Sequence, residues 1–343
     1  MKKKYTCIVV GYGYMGVIRK RVVDGLDGIE CLAVVEPSAS VAAKVSGCPV
    51  YSDYEQALAL EPDIVFVCTP NRYAPEICVK AMERGKHVFC EKPPGRDLAD
   101  IQAILDAEKG GVKLMFGFNH RFHPGVTKAK AIIDSGRMGR ILSMRGVYGK
   151  SGGRSYNENT SWRNDKAVSG GGILLDQGIH MLDLFRYFCG DFPLVKCFAN
   201  NAYWNYSVED NAAVILQNDA GQIAMLHSSA TQWKHTFHMN ILMEEGYLVI
   251  EGLLSKTGSY GREKLTVGRR QFEGEAEAVG NPTEEVTYFD RDMSWNIEVE
   301  EILKAVDADA PVTVSNSEDA FRVMEIIDKA YRDSNVQTLE VRK

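Results

Sequence analysis

Over the first 120 residues, short apolar runs alternate with stretches of helical spacing. Tyr5–Val10, Cys31–Val35, Ile64–Cys68, His87–Cys90 and Leu114–Phe118 have strand length, and Met15–Asp27, Tyr54–Leu60, Pro75–Arg84 and Leu98–Lys109 carry helical periodicity between them. Strands this continuously apolar have no wet face. They must be covered on both sides, which predicts a parallel sheet wound by helices over residues 1–120.

The rhythm then changes. A helix at Val126–Ser135 and a strand near Ile141–Tyr148 precede a polar, glycine-rich stretch, Gly149–Gly172, and a long helix over Leu174–Cys189. Strand-like runs follow near Val195–Ala202, Ala212–Gln217, Gln222–Ser228, Phe237–Met243 and Tyr247–Glu251, and helices over Asp292–Ala308 and Ser317–Asp333 close the chain. Consecutive strands joined by turns predict an antiparallel sheet, and residues 121–343 are assigned to a second domain. The fold class is therefore α/β for the first domain and α+β for the second.

The glycine turn Gly11-Tyr12-Gly13-Tyr14-Met15-Gly16 follows the first strand and opens the first helix. In that setting Gly11 permits the turn, Gly13 lets backbone approach a pyrophosphate, and Gly16 lets helix and strand close up, while the bare amides of the helix start attract phosphate. Glu36 ends the second strand, 20 residues after Gly16, where a carboxylate takes the ribose hydroxyls of NAD and repels the extra phosphate of NADP. NAD is thus the expected cofactor and NADP the less favoured one.

Two more segments close strands of the first domain, Thr69-Pro70-Asn71 and Glu91-Lys92-Pro93-Pro94. Ligands of open parallel sheets sit beyond the carboxyl ends of strands, so a Lys there is placed for chemistry beside a nicotinamide. A surface Lys paired with Glu91 fits the same letters. Asp176 and His180 stand four apart after Gly170-Gly171-Gly172, on one face of a helix. A His can take the proton of a secondary alcohol and a carboxylate can orient it. A capping Asp and a core His beside Met181, Leu182 and Leu184 would look alike.

Composition sets limits. Lys plus Arg total 40 and Asp plus Glu 46, a net charge of −6 with no long basic block, which argues against nucleic acid as the main partner. No apolar run approaches a membrane span, and the run before Gly11 is too short for a secretory signal. Eight Cys without a CxxC pair read as reduced thiols of a cytoplasmic protein. His120 and His123 lack a further ligand signature, so no metal is expected.

The glycine turn, TPN, EKP, the Asn119-x-Arg121-Phe122 segment and the GGG…DxxxH stretch occur in that order, and the chain resembles the glucose–fructose oxidoreductase / inositol dehydrogenase (Gfo/Idh/MocA) family along essentially its whole length. The resemblance implies a Rossmann domain followed by a C-terminal domain whose largely antiparallel sheet forms a homodimer or homotetramer. It implies Lys92, Asp176 and His180 as the catalytic set and a cis Lys92–Pro93 bond. For the cofactor it implies Gly11, Gly13, Tyr14, Met15 and Gly16 at the phosphates and Glu36 at the ribose. Thr69, Pro70, Asn71 and Glu91 would line the nicotinamide half, with Trp162-Arg163 reaching the cofactor. Asn119, Tyr148, Arg154, Tyr156 and Trp233 are substrate candidates. Lys150, Arg154 and Lys166 add positive charge suited to a phosphate or a sugar acid, or are simply solvated. The expected function is NAD-dependent interconversion of a secondary alcohol and a ketone on a sugar, cyclitol or sugar derivative. Action on a nucleotide-linked sugar and a non-catalytic NAD- and sugar-binding regulator are the alternatives.

Overall fold

The computed structural model describes residues 4–151, 162–201, 203–273, 277–278 and 280–334. Arg154 and Tyr156 lie outside the described residues.

The first half runs β1 (Tyr5–Val10), α1 (Tyr14–Asp24), β2 (Ile29–Val35), α2 (Ala39–Ala42), β3 (Val50–Tyr51), α3 (Tyr54–Leu58), β4 (Ile64–Val67), α4 (Ala74–Glu83), β5 (His87–Cys90), α5 (Leu98–Ala107) and β6 (Leu114–Phe116). Its six strands pair in parallel in the order β3-β2-β1-β4-β5-β6. Cys7, Ile8, Val9 and the whole of β4 are buried, as strands covered on both faces require. The order reverses between β1 and β4, which opens a crevice beyond their carboxyl ends.

The second half runs α6 (Pro124–Asp134), β7 (Ile141–Gly149), α7 (Lys166–Ser169), a π-helical turn at Leu174–Gly178, α8 (Ile179–Cys189), β8 (Leu194–Asn200), β9 (Asn211–Gln217), β10 (Ile223–Ser229), β11 (Thr236–Met243), β12 (Gly246–Glu251) and β13 (Glu263–Arg269). A short ladder of β14 (Phe272–Glu273) and β15 (Glu277–Ala278), then β16 (Glu284–Phe289), α9 (Ser294–Asp307) and α10 (Ser317–Asp333), complete it. Eight strands form one sheet in the order β16-β13-β12-β11-β7-β10-β9-β8. Every pair is antiparallel except β7 with β10. Burial alternates along β9, with Val214 and Leu216 inward and Ile215 and Gln217 outward, so one face packs on the core and the other faces out. On the inner face Gly146 of β7 leaves the space that Met181 of α8 fills.

The single long helix expected over Leu174–Cys189 is instead a widened π turn followed by an α-helix. The strands β13 and β16 lack the apolar runs that marked the others, being written Glu-Lys-Leu-Thr-Val-Gly-Arg and Glu-Glu-Val-Thr-Tyr-Phe.

The chain divides into two compact units. One comprises Met1–Asn119, Ala167–Gly170 and Trp295–Met324, and the other His120–Lys166, Gly171–Ser294 and Glu325–Lys343. The return of Trp295–Met324 to the first unit is sealed by polar contacts. Tyr5 donates to Asp307, the Phe116 amide donates to the Ser315 carbonyl at 2.9 Å, and Lys113 pairs with Asp309 at 2.8 Å. Among the described residues no helix is long and apolar enough to cross a membrane.

Candidate functional site

In the first unit the glycine turn is dictated by space. Gly11 has φ +90°, and a Cβ there would lie 2.7 Å from the Cys68 carbonyl oxygen. A Cβ on Gly16 would stand 1.9 Å from the Gly11 oxygen, so α1 can start this close to β1 only with glycine at both positions. At Gly13 a Cβ would meet nothing within 4 Å, so that position borders open space. α1 begins there with no side-chain cap and no acidic residue in its first turn, leaving its leading amides and positive dipole end for an anion.

Glu36 faces this turn. Its carboxylate accepts hydrogen bonds from the Tyr12 amide at 3.0 Å and the Ser38 amide at 2.9 Å. Thr69 follows β4 with its hydroxyl oxygen buried and without a hydrogen-bond partner, so the wall carries a polar atom for a ligand to satisfy. Open space at Gly13, bare helix amides, an orphaned hydroxyl and an anchored carboxylate together suit the phosphates and ribose of a dinucleotide.

Asn71 and Glu91 are spent within the unit. The Asn71 amide donates to the Ser169 carbonyl at 2.7 Å, tying down the segment that carries α7. Glu91 does not pair with its neighbour Lys92 in the way a surface pair would. It accepts from Arg19 Nε at 2.6 Å, and Arg19 Nη2 bonds Glu298 at 2.6 Å. Arg19 is fully buried, with its guanidinium 4.2 Å from the Phe89 ring centroid and 5.1 Å from that of Trp295. A charge buried this deeply needs both carboxylates. Burial alone would weaken its hold on the proton, and Glu298 and Glu91 more than reverse that, so it stays a cation. The chain after β5 is thereby fixed just before Lys92, whose peptide bond to Pro93 is cis and whose side chain is half-buried.

In the second unit, the two glycines nearest the π turn are each pressed against a neighbour. A Cβ on Gly171 would fall 2.1 Å from the Tyr331 hydroxyl and one on Gly172 2.0 Å from the Glu209 carbonyl oxygen. Glu209 is buried and accepts from the Gly172 and Leu174 amides at 2.8 and 3.0 Å and from the Tyr331 hydroxyl at 2.8 Å. Burial pushes its carboxyl up from the ordinary range, opposed by these donors. The turn that carries Asp176 is therefore held by a side chain far along the chain, which spacing alone does not announce.

Asp176 stands between two cations, with Lys150 Nζ 3.6 Å from one oxygen and Arg163 Nε 3.6 Å from the other, while Gln177 donates to it at 2.9 Å. Arg163 also lies over the Trp162 ring at 4.4 Å. His180 is buried on α8 and stacks on His120, with centroids 3.7 Å apart and planes 20° from parallel. His120 Nε2 lies 3.0 Å from the Tyr148 hydroxyl, and the Tyr148 ring meets Phe237 and Tyr260 edge-on. His123 is drawn elsewhere, its Nδ1 2.8 Å from Glu263. Arg121 forms a buried two-point bond to Asp183 at 2.8 and 2.7 Å.

Of the sequence candidates, Tyr148 joins the aromatic cluster around His180, Asn119 is buried at the start of a 3₁₀ turn, and Trp233 is fully exposed. Lys166 uses its amide to bond Ser207. Arg19, Glu298 and Glu209 were not singled out by sequence. The visible signal for the first is a charge on the apolar face of α1, beside Ile18, Val22 and Val23.

Comparison with known proteins decides the family. The description "Oxidoreductase family, NAD-binding Rossmann fold" matches residues 5–118, and "GFO/IDH/MocA C-terminal domain" matches residues 126–249. The chain belongs to the Gfo/Idh/MocA family. It is 41% identical over 139 residues to a levoglucosan dehydrogenase of Pseudarthrobacter phenanthrenivorans, covering 40% of this chain and 36% of that protein. It is 28% identical over 249 residues to a 2,7-anhydro-N-acetylneuraminate hydratase of Mediterraneibacter gnavus, covering 71% of this chain and 64% of the relative. These matches thus take in about a third to two thirds of the relatives' own lengths. A solved levoglucosan dehydrogenase in complex with NADH has the same fold, with a TM-score of 0.86 over 99% of this chain and 100% of that one at 22% identity. The family supplies the Rossmann sheet and the C-terminal sheet that the chain displays.

Proposed function

We propose that this protein is an NAD-dependent oxidoreductase that interconverts a secondary alcohol and a ketone on a sugar or cyclitol. The observation that carries the reading is His180, buried on α8 against His120 and four residues after Asp176, in a chain that also keeps Lys92 after β5. The names of the levoglucosan relatives, one sequence and one structure, support a sugar substrate.

Gly11, Gly13 and Gly16, with the amides of Tyr14 and Met15, would hold the dinucleotide phosphates, and Glu36 the ribose hydroxyls. Thr69 and Pro70 would border the nicotinamide half, with Asn71 and Glu91 shaping that wall through their own buried bonds. Bound NAD would supply the hydride acceptor. His180 takes the hydroxyl proton on its imidazole as the carbinol carbon gives up hydride and the C–O bond becomes a carbonyl. The Lys92 ammonium donates a hydrogen bond to the reacting oxygen and stabilises the negative charge that develops there. Asp176 orients the reacting groups, with Arg163 and Lys150 setting its own position.

NADH absorbance with a panel of sugars, anhydrosugars, inositols and sugar nucleotides tests this. Wild type should turn over one class, and His180→Ala should lose roughly 10²–10⁴-fold in kcat while still binding NAD. Equal turnover by the two proteins would remove His180 as the base. A second reading, a substrate bearing a phosphate or carboxylate, including a nucleotide-linked sugar, is favoured by Lys150 and Arg163 beside Asp176. It requires that Lys150→Met raise KM for the anionic members of the panel more than for the neutral ones.

A cytoplasmic homo-oligomer joined through the outer face of the eight-stranded sheet completes the proposal. Phe198 on that face is 81% exposed, and Ile215, Met225, Leu242 and Val286 are exposed with it. An uncovered apolar face of this kind marks an association surface. Phe198→Asp with Ile215→Lys should convert the oligomer to monomer in light scattering.

A further inference from the structure

Outside the groups assigned so far, three of the eight cysteines gather at the edge of the first unit. Cys7 on β1 and Cys31 on β2 are direct partners across the parallel pair, at the point where its register shifts. Cys48 immediately precedes Pro49, whose carbonyl accepts from the Val34 amide of β2 at 3.1 Å, so the loop carrying Cys48 is laid along the same strand. The Cys31 thiol donates to the Ala33 carbonyl of its own strand at 3.4 Å, and both Cys7 and Cys48 act on its ionisation. Lys20 reaches the group from α1. Its ammonium is buried, pairs with Asp24 at 2.7 Å and lies 3.7 Å from the position of a Cβ on Gly47, the residue before Cys48. Cys31 and Cys48 are half-buried, whereas Cys7 is fully buried.

We propose that Cys31 and Cys48 form a modification site, an oxidation-sensitive dithiol in which Cys31 reacts with a hydroperoxide and Cys48 resolves the product. The Cys31 sulfur, as thiolate, attacks the outer oxygen of the peroxide. The O–O bond breaks, the departing oxygen leaves as alkoxide or hydroxide and takes a proton from solvent, and Cys31 becomes a sulfenic acid. The Cys48 sulfur then attacks the Cys31 sulfur. The S–OH bond breaks, the Cys48 proton leaves with the hydroxyl as water, and a disulfide remains. The peroxide is reduced by two electrons and the two thiols are oxidised by two.

The roles follow from the surroundings. The neighbouring Cys7, and after it Lys20 and Cys48, favour the Cys31 thiolate against the opposing effect of burial, so the Cys31 thiol lies below the ordinary thiol range. Burial pushes Cys48 up to about 11, the property of a group that arrives as thiol and delivers a proton. Cys7 is the poorer resolving group. It is locked inside a paired sheet, while residues 46–49 around Cys48 lie on a largely exposed loop ahead of β3. The bond would close residues 32–47, the segment that contains Glu36 and α2.

The test uses the intact wild-type protein. Reduced protein is pulsed with iodoacetamide near neutral pH, and a parallel sample is treated with sub-millimolar hydrogen peroxide, blocked, digested and mapped by mass spectrometry. Cys31 should alkylate roughly tenfold faster than Cys48. The oxidised sample should contain a Cys31–Cys48 linked peptide, with fragment spectra separating Cys48 from Cys68 in the same tryptic peptide. Cys48→Ser should leave Cys31 as a sulfenic acid captured by dimedone, and Lys20→Met should slow Cys31 alkylation several-fold. Alkylation of Cys31 no faster than Cys48, a Cys7–Cys31 link, or a sample with every thiol still reduced would each overturn the proposal.

Discussion

At the scale of single residues, two side chains carry sharp consequences. Glu36 is anchored by two backbone amides at the mouth of the glycine turn. On the proposed cofactor reading, this carboxylate would face the 2′-phosphate of NADP. Replacing it with Ser should shift the ratio of NADP to NAD affinity toward NADP by at least about tenfold, or about 1.4 kcal/mol, measured by titration of both dinucleotides. His235 lies 3.2 Å from the Ser151 hydroxyl and edge-on to Tyr260. Burial, and then the nearby Lys150 charge, hold its pKa below the ordinary 6.5. The unfolded chain therefore binds more protons than the folded one in the window just below 6.5. The stability His235 contributes is present above that pH and is lost as pH falls through the depressed folded value. The melting temperature of wild type should drop with acidification in that window, and His235→Asn should flatten the drop. At this scale the sequence marked candidates, because the glycines, Glu36, Lys92, Asp176 and His180 stand in recognisable spacings. It did not show what each one touches. Glu91 read as a partner for Lys92 or as cofactor wall, yet its carboxylate is claimed by Arg19, 72 positions earlier.

At the scale of elements, the chain was legible wherever periodicity was strong. β1, β5 and α10 have the bounds that the apolar pattern predicts. The misses share a cause. β13 and β16 carry charged residues among their apolar ones and draw stability from pairing with strands already in place, and pairing leaves no mark in local composition. The π turn before α8 has the letters of an ordinary helix. What holds its start is tertiary: Glu209 accepts from the Gly172 and Leu174 amides, which no residue of the helix itself can satisfy. Gly172→Ala tests that account. The new Cβ would meet the Glu209 backbone, which no rotamer can relieve, so the variant should lose about 1–3 kcal/mol in denaturant unfolding. An equivalent change at Gly13, where no atom lies within reach, should leave stability of the ligand-free protein within about 0.5 kcal/mol.

At the scale of the whole molecule, the compact units are discontinuous in sequence, and a single cut near residue 120 cannot express that. Arg19 is a buried tie of the returning segment, joining α1 to Glu91 and to Glu298 on α9. Arg19→Met would strand two buried carboxylates. It should cost about 3–5 kcal/mol and lower the unfolding midpoint sharply. Adding Glu298→Gln to that variant should recover part of the loss, because one of the stranded charges is then gone.

The same return has a bearing on how the protein is made. The ribosome releases residues 1–119 long before Trp295–Met324, the stretch that supplies Glu298, Asp307 and Ser315 to them. At about 5–20 residues per second, the early segment waits on the order of ten to forty seconds for its missing wall. Through that interval Arg19 lacks both its second carboxylate and the Trp295 ring that covers it, and a first unit left open in this way is a natural client for a holding chaperone. A nascent chain stalled before residue 295 should therefore be cut readily by protease within its first 119 residues, and one released past residue 324 should resist.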